Sequence, residues 1–182
     1  MDWIEAAHAA LVDDGIEGVR IDRLCRELGV TKGSFYHHFE GRDALLAAVA
    51  DEWARERPRV VMDAARDLSD DPFERLVHFI RLTDDLDLGR HHQAMRIWGA
   101  VDPRAAAAVR EVDRVVLMFT EQCLSDVGLP KEDASALARI LLATAVGVVN
   151  LGDVVSQTDH SIIQSWLVRL VRERAMAAAE RR

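Results

Sequence analysis

Cysteine, proline and aromatic residues are all scarce in this sequence. Its 182 residues include two cysteines and four prolines, and aromatic residues make up only 5%. Because Cys25 and Cys123 lie far apart on apolar helical stripes, a disulfide framework is disfavoured and a reducing compartment fits better. Runs of β-branched residues are also few, whereas the good helix formers Ala, Leu, Arg and Glu are abundant. The composition therefore predicts an all-α fold.

The sequence has no clear targeting signal or membrane span. Acidic residues interrupt the start of the chain, which argues against a signal peptide. The most apolar stretch, residues 137–155, contains Arg139, Asn150 and Asp153 and is a poor candidate for crossing a membrane. We therefore expect a soluble, cytoplasmic protein without membrane contact.

Catalytic and metal-binding motifs are missing as well. Nothing resembles a nucleophile elbow or a phosphate-binding loop, and the adjacent pair Asp84-Asp85 has diverging side chains, which suits a solvated face better than acid/base catalysis. His91 and His92 point to different faces of a helix, and no Cys or carboxylate completes a metal-ligand spacing. We expect no enzymatic activity, no cofactor and no metal.

Hydrophobic periodicity and helix-boundary residues predict nine helices. Asp2 is the expected N-cap of the first helix and Thr31 that of the third, which runs through Phe39. Pro58 should kink or break the fourth helix at residues 56–57. Later in the chain, Asp71 and Pro72 begin the fifth helix, a nearly all-apolar helix covers 131–157, and Asp159 caps the last.

The first part of the chain has a local excess of positive charge. The chain as a whole carries a net charge of −8, which argues against indiscriminate nucleic-acid binding. Phosphates respond mainly to charges within about one Debye length, roughly 8–10 Å. Between residues 19 and 42, five basic residues outnumber three acidic ones: Arg20, Arg23, Arg26, Lys32 and Arg42 against Asp22, Glu27 and Glu40.

Two short helices joined through Gly29 and Val30 have the proportions of a helix-turn-helix. The second begins with Thr31-Lys32-Gly33-Ser34, which supplies a capping hydroxyl, a cation, a residue without a side chain and a small donor. Small residues there allow a helix to sit deep in a major groove, and its free amides point at phosphate. Tyr36, His37 and Arg42 are further candidates for contacting the DNA backbone.

The stretch from Leu24 to Phe39, LCRELGVTKGSFYHHF, followed by RDALL at 42–46, closely resembles the signature of the TetR family. This resemblance implies a homodimer with a helix-turn-helix at 1–46 and a helical ligand-binding and dimerisation domain at 47–182. It places Thr31, Lys32, Ser34, Tyr36 and His37 at the DNA, and Arg42 at the position of the family's usual basic residue. Arg20 stands where many members have a capping Ser or Thr, and phosphate contact is its alternative role.

A ligand cavity and a plain hydrophobic core are both compatible with the apolar residues of the second part. The cavity interpretation rests on a mixture of aromatic, Met and polar residues: Met62, Phe79, Thr83, Met95, Trp98, Phe119 and Asn150. Within its apolar helix, Asn150 is expected to be a buried amide that needs a partner. The lining favours a small, largely apolar effector.

These observations favour a dimeric transcriptional regulator that binds a pseudo-palindromic operator in double-stranded DNA. The dimer is expected to form through residues 131–157 and 159–175. A repressor that is released from DNA by its effector is the leading hypothesis. An activator is the alternative, because the sequence does not encode where the operator lies relative to a promoter. The alternative from another class is a small-molecule-binding or adaptor protein that no longer binds an operator.

Overall fold

The computed structural model describes residues 3 to 179, with only the backbone described at positions 153, 157, 178 and 179. Within this range the chain forms nine α-helices and two short 3-10 turns, and no strand. The helices are α1 (Trp3–Asp14), α2 (Ile21–Glu27), α3 (Lys32–His38), α4 (Arg42–Leu68), α5 (Pro72–Asp85), α6 (Leu88–Gly99), α7 (Pro103–Asp126), α8 (Lys131–Leu151) and α9 (Gln157–Ala179). The predicted all-α, nine-helix fold is confirmed. The predicted N-cap Asp2 lies outside the described residues.

Several helix boundaries follow directly from local chemistry. The Thr31 hydroxyl accepts a hydrogen bond from the Ser34 N–H at 3.3 Å, and the Asp71 carboxylate accepts from the Glu74 N–H at 2.9 Å. Both side chains satisfy a backbone donor that the first turn of a helix leaves open. Gly29 ends α2 with a φ of 68°, a left-handed conformation that costs glycine little. These boundaries agree with the sequence-based expectations.

Two boundaries differ from expectation. The helix α4 continues from Arg42 to Leu68 with Pro58 inside it, so no break occurs there, and the alternative of a kink stays a prediction. The helix α8 ends at Leu151, and a 3-10 turn at Gly152–Val154 separates it from α9. The Ser156 hydroxyl accepts from the Asp159 N–H at 3.1 Å, while the Asp159 carboxylate accepts from the Ser156 N–H at 3.0 Å. This reciprocal pair is a capping box in which Ser156, and not Asp159, is the cap.

The chain divides into two compact units, each built from two stretches of sequence. The first comprises residues 1–57 and 90–112, and the second comprises residues 58–89 and 113–182. The division in α4 falls at Pro58. The predicted functional boundary between residues 46 and 47 lies within α4 and stays a prediction.

The second unit has an apolar core drawn from α4, α5, α7, α8 and α9. Phe79 and Phe119 are buried with ring centroids 5.0 Å apart, and Leu124 and Val171 are almost fully buried beside them. Among the described helices, α8 alone is long and apolar enough to cross a membrane by length and composition. Core helices of soluble proteins have the same character.

The core of the first unit contains a histidine. His8, on α1, is 1% exposed, stacks on Trp53 at 5.2 Å, and has its Nδ1 3.3 Å from the Nδ1 of His91 on α6. Burial, followed by the charges of His91 and Arg57, lowers the pKa of His8 from 6.5 to about 3. His8 is therefore neutral in the folded protein near neutral pH.

This depressed pKa makes the stability of the fold dependent on pH. The unfolded chain binds a proton at His8 below about pH 6.5, whereas the folded chain does not until about pH 3. Stability is therefore fully present above pH 6.5 and falls as the pH drops below it, by about 1.4 kcal/mol per pH unit. Between pH 7 and pH 5 we expect a loss of about 2 kcal/mol from this group, measured by urea unfolding.

The variant His8→Phe keeps an aromatic ring against Trp53 and removes the titrating group. We expect its unfolding free energy to fall less between pH 7 and pH 5 than that of the parent protein. His37→Phe is the matched control because His37 is exposed on α3. An identical pH dependence in the parent and His8→Phe would contradict this account.

Candidate nucleic-acid interface

The helices α2 and α3 form a helix-turn-helix whose packing fixes the direction of α3. Leu24 and Cys25 bury the inner face of α2, and the N–H of Val30 donates to the carbonyl of Cys25 at 2.9 Å, closing the end of the helix. Phe35 on α3 is fully buried and meets the Trp3 ring edge-on at 5.3 Å. One side of α3 is thereby held in the core of the first unit.

The opposite side of α3 faces solvent. Tyr36 is 58% exposed although its ring is aromatic, and it touches Phe35 only edge-on at 5.3 Å. Five of the residues expected at DNA on this helix and its cap are exposed and the sixth is half-buried: Thr31, Lys32, Gly33, Tyr36 and His37, with Ser34. The surface thus combines small, hydroxyl-bearing and cationic groups on one exposed face.

Gly33 has no structural need to be glycine. A Cβ built on it would meet only the Thr31 hydroxyl oxygen, at 3.6 Å, which is an ordinary van der Waals distance. Alanine also stabilises a helix relative to glycine by up to about 1 kcal/mol. No contact among the described residues therefore requires a glycine at position 33.

The cation at the start of α3 is already paired. Lys32 Nζ lies 2.6 Å from Asp22 Oδ1, and both side chains are more than half exposed. The hydrogen bond to Asp22 is the main cause of a raised pKa of Lys32. A phosphate approaching Lys32 would have to compete with this carboxylate or share the ammonium with it.

A row of arginines on α2 adds a second cationic surface. Arg20, Arg23 and Arg26 line a depression of about 420 Å³ together with Glu27. Arg23 is tied to Asp14 and, at 2.6 Å, to Glu27, whereas Arg26 Nε donates to the backbone carbonyl of Asp22 at 3.3 Å. The sequence placed all three arginines in the local positive charge but made only Arg20 a candidate for DNA contact, although the spacing of three residues could have identified the row.

Arg20 is exposed and makes no side-chain hydrogen bond that caps α2. The sequence predicted this missing cap, because Arg20 stands where many tetR-family members have a capping Ser or Thr. Its guanidinium is thus available on the same face as the row, consistent with the proposed phosphate contact.

Arg42 has a structural task that the sequence did not reveal. Its Nε donates to the Val19 carbonyl at 2.7 Å, and its Nη2 donates to the Ile16 carbonyl at 2.6 Å. The half-buried side chain thus ties the first turn of α4 to the segment before α2. Contact between Arg42 and DNA stays a prediction, and any such contact would use a guanidinium already held by two carbonyls.

The residues predicted to line a ligand cavity belong to two different units, and their joint lining of a cavity stays a prediction. Met95 and Trp98 are buried in the first unit, whereas Met62, Phe79 and Phe119 belong to the core of the second. Thr83, in the second unit, donates its hydroxyl to the Ile80 carbonyl at 2.7 Å. Burial of the Asn150 amide was predicted wrongly, because Asn150 is exposed and its Nδ2 donates to the Val146 carbonyl at 2.7 Å.

The two hydrogen bonds of Arg42 predict a loss of stability in Arg42→Ala. A hydrogen bond to a charged group contributes about 1.5–3 kcal/mol, and partial exposure reduces this, so we expect a loss of about 2 kcal/mol in urea unfolding. Arg55→Ala on the same helix is the control, because Arg55 is 76% exposed and pairs only with Asp51 at 3.6 Å. Equal stability of the two variants would contradict the structural role.

Comparison with known proteins supports this geometry. The profile of bacterial regulatory proteins of the tetR family matches residues 4–49. The Transposon Tn10 TetC protein of Escherichia coli is 40% identical over 45 residues, which cover 25% of this chain and 23% of that protein. The HTH-type transcriptional repressor DhaR of Mycobacterium sp. (strain GP1) is 28% identical over 85 residues, covering 46% and 43%. The chain thus spans less than half the length of each curated relative it matches.

Solved structures extend the likeness over nearly the whole chain. A TetR transcriptional regulator from Legionella pneumophila superposes with a TM-score of 0.77 at 15% identity, covering 92% of this chain and 94% of that one. The structure of BioQ with its natural double-stranded DNA operator superposes with a TM-score of 0.53 at 26% identity, covering 93% and 95%. Residues 4–49 are thus similar to the N-terminal region of tetR-family bacterial regulatory proteins, and the chain shares the overall fold of these solved structures.

Proposed function

We propose that the protein is a dimeric, sequence-specific DNA-binding transcriptional regulator, acting as a repressor that a small-molecule effector releases. The observation that carries the proposal is the exposed face of α3. Burial of Phe35 turns Lys32, Gly33 and Tyr36 toward solvent, where they contribute nothing to the core. The BioQ structure, which holds an operator, supports double-stranded DNA as the partner of this face.

In this proposal α3 enters the major groove and its first residues approach base edges. A helix-turn-helix dimer reads two half-sites whose centres lie about 34–36 Å apart, so the operator is pseudo-palindromic. Arg20 and Lys32 meet phosphates at the edges of the groove, and a phosphate replaces Asp22 as the partner of Lys32. Each of these phosphate contacts releases counterions from the DNA, so binding weakens as the salt concentration rises.

Dimerisation through α8 and α9 is supported by their exposed apolar side chains. Ile140 on α8 is 50% exposed, and Ile162 and Trp166 on α9 are 60% and 55% exposed. The opposite faces are buried in the second unit by Leu137 and Val171. A helix apolar on two sides needs a second packing partner, and a copy of the same pair across a two-fold axis supplies one.

The alternative function is that of a small-molecule-binding or adaptor protein without operator binding. The acidic whole-chain charge and the Lys32–Asp22 pair are the observations that favour it. Selection of bound sequences from a random DNA library separates the two, because an adaptor enriches no sequence. We also propose cytoplasmic location, residues 1–46 as the DNA-binding domain, and residues 47–182 as the regulatory domain.

Gly33→Ala tests whether α3 approaches DNA closely. We expect the variant to be at least as stable as the parent, because the added methyl group has room and alanine favours the helix. We expect its affinity for a selected operator to fall about tenfold or more, because the methyl group holds the helix away from the base edges. Fluorescence anisotropy measures the affinity, and thermal unfolding measures the stability.

Gly41→Ala is the control, because a Cβ there meets nothing within 4 Å and Gly41 lies outside α3. Its operator affinity should match that of the parent. Unchanged operator affinity in Gly33→Ala would show that α3 does not approach the bases closely.

Trp166→Glu tests the dimer. A charged side chain at the centre of an apolar interface would lose its hydration, so we expect the variant to sediment as a monomer at micromolar concentration. Leu68→Glu is the control, since Leu68 is 57% exposed and belongs to α4, which is not one of the two helices of the proposed interface. A parent protein that sediments at the mass of one chain would refute dimerisation.

A further inference from the structure

We propose that a depression in the second unit binds an amphipathic anion, namely an organic carboxylate with a compact apolar body. The depression has a volume of about 360 Å³ and lies among α4, α5 and α7. That volume is at the lower end of the range for small-molecule sites, about 300–1,000 Å³. The proposal rests on the proposed function only in making this anion the effector; the binding itself does not require DNA.

The floor of the depression is apolar and belongs to the hydrophobic core. Met62, Phe119 and Cys123 are 4%, 7% and 1% exposed and all contribute to the lining. Burial raises the pKa of the Cys123 thiol to about 11, so the thiol is neutral near neutral pH and packs as a small apolar group. This surface suits a hydrocarbon or an aromatic ring and offers no negative charge.

The rim is cationic. Nine described residues line the depression, and none of them carries a carboxylate. Three are arginines: Arg66, Arg75 and Arg114. Two guanidinium groups or more facing one small volume repel each other and attract an anion. A guanidinium also matches the two oxygens of a carboxylate in shape, which gives a paired hydrogen bond.

Arg75 is the best placed of the three. It is half-buried at the start of α5, where its Nε lies 3.4 Å from the Ser69 carbonyl and its Nη2 donates to the Asp70 carbonyl at 3.1 Å. These backbone acceptors are neutral, so they orient the guanidinium without cancelling its charge. A carboxylate at the depression would complete the electrostatic pairing of Arg75.

Arg66 connects the rim to the floor. Its Cζ lies 5.2 Å from the centre of the Phe119 ring, and its Nη1 donates to Asp63 at 2.7 Å. Arg66 and Met62 are both carried by α4, whose first turn also holds Arg42. A ligand bound between rim and floor would therefore contact α4, the same helix whose Arg42 donates to the carbonyls of Ile16 and Val19 before α2.

The cationic rim of this lining was not part of the sequence-based expectation, which was a small, largely apolar effector. Met62 and Phe119 were anticipated, but the arginines were not, because charged residues on amphipathic helices are usually solvated. An apolar body alone would fit the floor and leave Arg75 with only the neutral carbonyls of Ser69 and Asp70 as acceptors. Inorganic phosphate would pair with the rim and leave the floor exposed to water.

Calorimetric titration of the full-length protein, without DNA, tests the proposal. The probes are octanoate and 1-naphthoate, each compared with its primary amide, which has nearly the same shape and no charge. We expect at least one carboxylate to bind about tenfold or more tightly than its amide, and more weakly at high salt. Inorganic phosphate is expected not to compete with the bound carboxylate at equal concentration.

Arg75→Gln should reduce the affinity of that carboxylate to the level of its amide, and Arg75→Lys should recover part of it. Arg172→Gln is the control: this arginine of the second unit lies 5.0 Å from the centre of the Phe73 ring and is outside the lining. Amides binding as tightly as both carboxylates, effective competition by phosphate, or equal affinity in Arg75→Gln and the parent would each overturn the proposal.

The same samples separate this inference from the proposed function. A carboxylate that binds through Arg75 in a protein that selects no operator would support the anion site and refute the regulator. Operator binding together with the absence of any carboxylate preference would support the regulator and refute the anion site.

Discussion

Burial of the Phe35 ring determines which side of α3 can meet another molecule. The ring is fully enclosed and packs against Trp3 and Phe39. Such burial contributes about 1.5–3 kcal/mol, enough to fix the rotation of a helix of seven residues. Since successive residues turn by about 100° around a helix, Ser34 and Tyr36 point away from the direction of the buried ring, and Tyr36 is exposed. Arg42 complements this constraint by tying the start of α4 to the carbonyls before α2.

The charge distribution shows how an acidic protein can still present a surface for DNA. The net charge of the chain determines the electrostatic potential far from its surface. A phosphate bound at the surface responds mainly to the charged groups within several ångströms. The exposed cations Arg20 and Lys32 lie at the helix-turn-helix. Lys32 is paired with Asp22, and a DNA phosphate would have to compete with that carboxylate. Competition of this kind lowers affinity for any DNA and leaves discrimination to contacts with the bases.

Local chemistry explains what the sequence predicted well. The Thr31 and Asp71 caps, the left-handed Gly29 and the helical order depend on neighbours within a few residues, so they can be read from a single sequence. The exposed face of α3 could be inferred for the same reason. By contrast, the bonds from Arg42 to Ile16 and Val19 span more than twenty residues. The arginine rim likewise depends on the rotation of three helices, and Asn150 faces solvent because of the rotation of α8.

The central claim is that α3 is the surface that meets operator DNA. Hydrogen–deuterium exchange of the full-length protein, with and without a duplex selected from a random library, tests it most directly. The account predicts slower exchange of the backbone amides of residues 31–38 in the complex, because free amides at the start of α3 become hydrogen-bonded or shielded. Unchanged exchange at residues 31–38 when the duplex is bound would contradict it.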